Sequence, residues 1–169
     1  MAAAADRIVE RLGLAPLPGE GGYFRETYRD AQSTAILYLV VAPDGSALHR
    51  LQGPELYHWH AGAPLAFLLL HPDGRVEEVV LGAELAAGQV PQLVVPAGVW
   101  QGSRPVGPTG AWSLVGTTMA PGFDPAGFEL GASEPLVAGW PAAAERIRSL
   151  TGRGGGGRIE TRTARRSSP

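Results

Sequence analysis

The chain of 169 residues contains no cysteine and no lysine. The lack of cysteine excludes disulfides, zinc–thiolate sites and thiol nucleophiles. The lack of lysine excludes Schiff-base catalysis and the phosphate-binding lysine of a P-loop. A chain without disulfides is compatible with a reducing compartment, and we predict a cytoplasmic location.

Long hydrophobic runs are missing as well. The longest apolar stretch, residues 64–70, is far too short to cross a bilayer. The apolar start, residues 1–5, is followed at once by Asp6 and Arg7, so it does not resemble a signal peptide. We therefore expect no membrane partner.

Basic residues are concentrated at one end of the chain. Five arginines against one glutamate from residue 152 onward give +4, which leaves −6 for residues 1–151 out of a total of −2. We predict a single domain over residues 1–151 and a basic Gly/Arg-rich disordered tail over residues 152–169, because the tail has almost no apolar residues to bury. Such a tail could touch nucleic acid, but an unstructured extension is the favoured interpretation.

Short strands separated by turns organise the middle of the chain. The turns are marked by Pro43-Asp44-Gly45, Gly62-Ala63-Pro64 and Pro72-Asp73-Gly74. The predicted strands are residues 23–29, 35–41, 47–50, 55–60, 65–70, 76–81, 92–95, 100–104 and 112–118. This pattern predicts an all-β antiparallel sandwich or barrel, of which the jelly roll is one form. Short helices over residues 3–12 and 142–150 flank the strands, and we expect the second to pack on the outside of the barrel.

Two residues at the ends of adjacent predicted strands form the first candidate site. His49 ends one strand and Glu55 begins the next. Imidazole and carboxylate together suit a divalent metal or an acid–base pair. A surface histidine with a glutamate at the rim of the barrel is an equally good interpretation of the spacing alone.

Alternation along the strand that begins at Glu55 extends this site. If Glu55 points into the barrel, then Tyr57 and Trp59 point inward too, while His58 and His60 face the other side. The alternative is that His58 and His60 are the ligands and Glu55 is external. A further alternative is that His58 and His60 lie at a subunit interface.

Two more segments carry candidate ligand-binding groups. Gln101 follows the turn at Pro96 and Gly98 and can enter the barrel, where an amide suits a polar ligand; the alternative is an ordinary turn whose Trp100 is core. In residues 23–29, Tyr23, Arg25 and Thr27 share one face, and an arginine on the inner wall would bind a carboxylate or phosphate. The alternative for that segment is an edge strand with a solvated polar face.

Five ordered motifs resemble the cupin-5 family, a domain of unknown function within the cupin superfamily. They are residues 21–27, His49-Arg50-Leu51, residues 55–62, residues 96–101 and Pro121-Gly122-Phe123. The resemblance covers about residues 12–141 and implies a double-stranded β-helix, the cupin jelly-roll barrel. It also implies a homodimer.

The resemblance implies a weak metal site at most. The general cupin motifs, Gly-x5-His-x-His-x3/4-Glu-x6-Gly and Pro-x-Gly-x2-His, place His49 and Glu55 as ligands but leave Leu51 and Gln101 where histidines usually stand. His49, Glu55 and Gln101 would hold a divalent metal weakly. The chain also departs from the cupin-5 pattern in two places. It has Gly53-Pro54 where the family often has Ser-Asp, and it has Tyr57 where the family often has tryptophan.

Three functions follow from these residues and from the resemblance. The first is a metal-free epimerase or isomerase acting on a small polar or anionic ligand, with His49 as base and Tyr57 or Glu55 as acid or orienting group. In that case Arg25 and Gln101 would anchor the substrate. The second is a non-catalytic barrel that binds a small molecule. The third, a metal-dependent oxygenase or decarboxylase, is the least favoured because two histidine ligands are replaced.

Overall fold

The computed structural model describes residues 2–151, which form strands in two sheets and a few short helices. The α-helices are α1 (Ala2–Leu12), α2 (Ser133–Gly139) and α3 (Ala144–Leu150). The strands are β1 (Ala15–Pro16), β2 (Tyr23–Arg29), β3 (Thr34–Val41), β4 (Ser46–Leu51), β5 (Glu55–Gly62), β6 (Leu65–Leu70), β7 (Val76–Leu81), β8 (Gln92–Val95), β9 (Trp100–Pro105), β10 (Trp112–Met119) and β11 (Phe128–Leu130). The tail predicted over residues 152–169 lies outside the described residues.

The two antiparallel sheets form the double-stranded β-helix that the resemblance implied. One sheet has the strand order β1-β2-β3-β10-β5-β8, and the other has the order β11-β4-β9-β6-β7. Their facing sides enclose an interior core that includes Tyr38, Phe67, Leu69 and Val115. The all-β fold class is confirmed.

Strand β6 shows why one segment of the sequence is almost continuously apolar. Leu65, Phe67 and Leu69 point into the interior core, while Leu68 and Leu70 point outward into a second apolar cluster. A strand that is covered on both faces has no solvent side, so it does not alternate between apolar and polar residues. The short helices supply the outer cover.

Each sheet carries a helix on its outer face. Ile147 of α3 and Leu136 of α2 pack on the five-stranded sheet, as predicted for the C-terminal helix. At the other side, Ala5 and neighbouring residues of α1 pack against Leu39 of β3. None of the described helices is long and apolar enough to span a membrane.

The predicted strand boundaries agree with the structure to within two residues, but three elements were missed. Strands β1 and β11 are only two and three residues long, so they show no alternation. Helix α2 was not predicted, because its seven residues make barely two turns. The final helix begins at Ala144, since Pro141–Ala143 forms a separate 3₁₀ turn.

Candidate functional site

A cavity of about 230 Å³ lies between the two sheets at one end of the barrel. Its polar lining residues are Glu20, Glu26, Thr34, Tyr38, His49, Glu55, Tyr57 and Thr117. Its apolar lining residues are Leu17, Pro18, Phe24, Ile36, Leu51, Met119, Phe123 and Phe128. Both sheets contribute, so the cavity exists only because the strands close around it.

Glu55 is the centre of a buried hydrogen-bond group at the base of this cavity. The Nε2 of Gln101 donates to Glu55 Oε2 at 2.8 Å, and the hydroxyl of Tyr57 donates to the same oxygen at 3.0 Å. Both of these bonds use Oε2, so neither occupies Oε1. The structure therefore brings together residues 55, 57 and 101, as the sequence predicted.

Burial raises the pKa of Glu55, because an ionised carboxylate loses its hydration inside the barrel. The charge of His49, when protonated, acts in the opposite direction, while the nearby carboxylate of Glu20 raises the pKa further. Hydrogen bonding from Gln101 and the neighbouring Thr117 hydroxyl lowers it in part. The net effect is a carboxyl group that keeps its proton to a higher pH than an exposed glutamate.

His49 lies on β4, in the opposite sheet from Glu55, and is 2% exposed. Its Nδ1 lies 2.8 Å from the carbonyl oxygen of Ala47. A carbonyl can only accept a hydrogen bond, so Nδ1 carries a proton and Nε2 is the nitrogen left for the cavity. The ring stacks on Phe128 at a centroid distance of 5.4 Å, which keeps the imidazole in place.

Tyr57 is buried between Glu55 and the interior core. Its ring makes an edge contact with Phe67, with centroids 4.8 Å apart. Burial and the charge of Glu55 raise its pKa well above the ordinary tyrosine value. Its hydroxyl therefore stays protonated and holds the Glu55 carboxyl in position.

The predicted orientation of β2 was wrong. Phe24 and Glu26 line the cavity, whereas Tyr23, Arg25 and Thr27 are not among its lining residues. Tyr23 instead packs in the cluster around α1, Thr27 donates its hydroxyl to the Ala35 carbonyl at 3.2 Å, and Arg25 is exposed. Both faces of β2 carry an aromatic residue, so the choice depended on α1, which covers the outer face. Arg25 is therefore not the carboxylate- or phosphate-binding group that was expected on the inner wall.

The remaining residues of β5 follow the predicted alternation. Trp59 is half-buried against the interior core, with its Nε1 donating to the Ala63 carbonyl at 3.3 Å, and it does not line the cavity. His58 faces outward, where its Nδ1 accepts from Gln92 Nε2 at 3.1 Å. His60 is exposed beside Gly116. The alternative that His58 and His60 are lumen ligands is therefore wrong.

Glu20 is one of the polar lining residues that the sequence reasoning missed; the others are Glu26, Thr34, Tyr38 and Thr117. Its Oε1 accepts from the Ser46 hydroxyl at 2.8 Å, and its Oε2 lies 4.0 Å from His49 Nε2. Its backbone carbonyl accepts from the Ala47 amide, which ties the loop to β4. The signal available in the sequence was the glycine-rich setting, because Gly21 has φ of 96° and approaches the backbone of β4's preceding turn closely.

These observations can be set beside known proteins. The model of the Cupin_5 family, described as "Cupin superfamily (DUF985)", matches residues 6–131. The chain belongs to the Cupin_5 family. This cupin is similar to protein SO0799 of Shewanella oneidensis, whose crystal structure shares 33% identity and a TM-score of 0.80 over 86% of this chain and 96% of that one.

Two further relatives support the same placement. A hypothetical protein from Leishmania major shares 30% identity and a TM-score of 0.77, over 86% of this cupin and 97% of that chain. The uncharacterized protein YML079W of Saccharomyces cerevisiae is 28% identical over 129 residues, which is 62% of this cupin. The match spans 64% of the yeast protein's length.

The metal site common in cupins does not fit this cavity. Within residues 2–151, no group of three or more histidine or carboxylate side chains is placed to hold a metal ion. Gln101 turns its amide nitrogen, a donor, toward Glu55, so its oxygen is not directed at the same point. Leu51 lines the cavity with carbon atoms only. His49, Glu55 and Gln101 are therefore arranged as a hydrogen-bonding site.

Proposed function

We propose that this cupin binds a small polar molecule in the barrel cavity and transfers a proton to or from it, as an epimerase or isomerase does. The observation that carries the proposal is the pairing of His49 Nε2 and the Glu55 carboxyl on the wall of one cavity. Two titratable groups in different environments, facing the same bound molecule, are the arrangement that acid–base catalysis needs.

His49 is the proposed base. Its Nδ1 is committed to the Ala47 carbonyl, so the lone pair of the neutral ring is on Nε2. When Nε2 takes a proton from the substrate, the carboxylate of Glu20, 4.0 Å away, stabilises the resulting imidazolium. The stacked Phe128 ring keeps Nε2 directed at the cavity.

Glu55 is the proposed acid. Burial raises its pKa, so a fraction of the protein carries a neutral carboxyl that can donate at Oε1. Tyr57 and Gln101 both donate to Oε2 and therefore act as positioning residues. In an isomerisation, His49 removes a proton from one atom of the substrate and Glu55 delivers one to another; in an epimerisation, the proton leaves and arrives on opposite faces of the same carbon.

A non-catalytic binding barrel is the second candidate. It is favoured because Tyr57 and Gln101 both donate hydrogen bonds to Glu55, so these donors are not available to a substrate. Such a protein would hold its ligand through the same His49 and Glu55 contacts and release it unchanged.

Hydrogen–deuterium exchange at carbon separates the two candidates. The protein is incubated in deuterated buffer with a panel of small hydroxy-ketones, aldoses and amino-ketones, and deuterium incorporation is followed by mass spectrometry. We expect exchange in at least one compound with the wild-type protein, loss of at least ~100-fold in His49→Asn, consistent with the contribution of a general base, and no change in the surface control His58→Asn. Exchange that persists in His49→Asn would refute the role of His49. A compound that raises the melting temperature in a His49-dependent way without exchange would favour the binding barrel.

Two expectations from the sequence stay predictions. The first is the homodimer, which light scattering on the eluting protein would measure. The second is the cytoplasmic location, which a fluorescent fusion or fractionation would measure.

A further inference from the structure

We propose that the ligand of this cavity is a small molecule with a protonated amine beside an apolar or aromatic portion, and that Glu20 receives the amine. This inference rests on the proposed function only in taking the cavity as the binding site. It reverses the expectation of an anionic ligand, which depended on Arg25.

The charged residues that line the cavity favour a cationic ligand over an anionic one. Among the described residues that line it, three are glutamates and none is an arginine. Glu26 is neutralised at the mouth by Arg29, which makes three hydrogen bonds of 2.8 to 3.1 Å to its carboxylate. Among the described residues, neither Glu20 nor Glu55 is paired with an arginine; the group near Glu20 that can carry positive charge is the His49 imidazole, at 4.0 Å. An anion entering the cavity would meet two carboxyl groups with little water to screen them.

Glu20 and Glu55 differ in their readiness to hold a cation. The Glu55 carboxyl already accepts two hydrogen bonds at Oε2 and sits in the buried base of the cavity. Glu20 accepts a single bond, from the Ser46 hydroxyl to Oε1, and its side chain is 12% exposed. Glu20 Oε2 is therefore the acceptor best placed for an ammonium group that arrives from outside.

The imidazole of His49 points to a ligand independently of the charges. His49 is 2% exposed and lines the cavity, and no residue among 2–151 forms a hydrogen bond with its Nε2, which lies 4.0 Å from Glu20 Oε2. A polar atom on an enclosed cavity wall favours a ligand that completes its hydrogen bonding. Nε2 and Glu20 Oε2 thus offer two adjacent acceptors, which is the complement of an ammonium group with several N–H donors.

The aromatic lining residues suit the apolar portion of such a ligand. Phe24, Phe123 and Phe128 all line the cavity, and the last two contact each other edge to face at 6.4 Å. Aromatic faces also attract a nearby cation, so they favour the same sign of charge as the carboxylates. A ring of benzyl size with one amine matches both the wall and the limited volume.

A charge series tests the proposal with the full chain. Binding of benzylamine, benzyl alcohol and benzoate is measured at pH 7 by ligand-observed NMR titration, for the wild-type protein, Glu20→Gln and the control Glu84→Gln. Glu84 is exposed in the connection between β7 and β8, so its replacement changes the net charge equally without touching the cavity. The wild-type protein should bind benzylamine about tenfold more tightly than benzoate, the size of one charge-assisted hydrogen bond.

The variants assign the preference to Glu20. Glu20→Gln should weaken benzylamine by about tenfold and benzyl alcohol by less than about twofold, since a glutamine oxygen can still accept from Ser46. Glu84→Gln should leave all three unchanged. Benzoate binding as tightly as benzylamine, equal losses for benzylamine and benzyl alcohol, or no binding of any of the three would overturn the proposal.

The outcome is separable from that of the proposed proton transfer. The wild-type comparison of the three compounds needs no variant, so it stays decisive even if Glu20→Gln fails to fold. A cation preference without deuterium exchange would keep the ligand class and remove the catalytic role. Exchange of neutral or anionic compounds together with a preference for benzoate would keep catalysis and remove the ligand class.

Discussion

Replacing Gln101 with leucine tests the buried group around Glu55. Leucine is close to glutamine in size, so the change removes polar atoms with little change in packing. It deletes the hydrogen bond that Gln101 Nε2 donates to Glu55 Oε2 at 2.8 Å. It also removes the Gln101 Oε1 atom, which is buried without a hydrogen-bond partner among the described residues.

The two effects on stability oppose each other. When Glu55 is ionised, losing a hydrogen bond to a charged group costs about 1.5–3 kcal/mol. Removing the unpartnered Gln101 Oε1 stabilises the folded state by about 1–3 kcal/mol, so the two effects nearly cancel. When Glu55 is protonated, the lost bond is worth only about 0.5–1.5 kcal/mol and the effect of removing Oε1 dominates. We therefore expect Gln101→Leu to be stabilising by about 1 kcal/mol at acid pH and near neutral or destabilising at alkaline pH.

Linkage gives the sign of this dependence. The folded-state pKa of Glu55 is raised above its ordinary value of 4.5, so the folded protein binds the proton more tightly than the unfolded chain. The stability that Glu55 contributes is then fully present below the unfolded pKa and is lost as pH rises through the folded pKa. Gln101→Leu raises the folded pKa further, so the variant loses stability relative to the wild type as pH rises.

Urea unfolding at pH 4.5 and pH 8, followed by tryptophan fluorescence, measures the effect. The control is Ser103→Ala, because the Ser103 hydroxyl is also buried without a partner among residues 2–151 but does not contact Glu55. Its effect on the free energy of unfolding should be the same at both pH values. A pH-independent effect of Gln101→Leu, or one that becomes more favourable as pH rises, would refute the account of Glu55.

Two further predictions concern packing and metal binding. Ile147→Ala should lower the free energy of unfolding by about 2–5 kcal/mol in urea titrations, because it opens a cavity between α3 and the five-stranded sheet. The control Arg148→Ala, at an exposed neighbouring position, should change that free energy by less than about 0.5 kcal/mol. Similar losses in both variants would contradict the packing. The double variant Leu51→His with Gln101→His should retain a stoichiometric divalent metal after dialysis, measured by elemental analysis. It supplies three imidazoles from the five-stranded sheet opposite the Glu55 carboxylate of the other sheet. Failure to retain metal, with the fold intact by circular dichroism, would show that residues 49, 51, 55 and 101 do not converge.

The strands were predictable because their ends are set by local chemistry. β2, β6, β7 and β8 have the predicted boundaries, and each has a proline- or glycine-containing turn on at least one side. Such turns depend on the backbone preferences of a few adjacent residues, which the sequence shows directly. The short β11 is also flanked by Gly127 and Gly131, but its three residues show too little alternation to predict a strand, and it forms because its backbone pairs with β4.

The site was predictable only where a motif or alternation constrained it. The meeting of Glu55 with Gln101 followed from the order of the cupin motifs, and the inward direction of Tyr57 followed from alternation along β5. The orientation of β2 did not follow, because a strand with aromatic residues on both faces can present either one. Its position beneath α1 decided the matter, and that contact joins residues far apart in the sequence.

The same limit explains why Arg25 was expected on the cavity wall and Glu20 was not. Arg25 was visible as a cation on a strand, but it lies on the outer face. Glu20 was hidden in a glycine-rich loop, and it reaches the cavity because its carbonyl binds the Ala47 amide and its carboxylate binds Ser46. Because Glu20 lines the cavity and Arg25 does not, the described lining residues include carboxylates and no arginine. The charge of a small barrel's cavity therefore depends on which loops fold over its mouth. For this cupin that loop supplies a carboxylate next to an imidazole nitrogen that forms no hydrogen bond with residues 2–151.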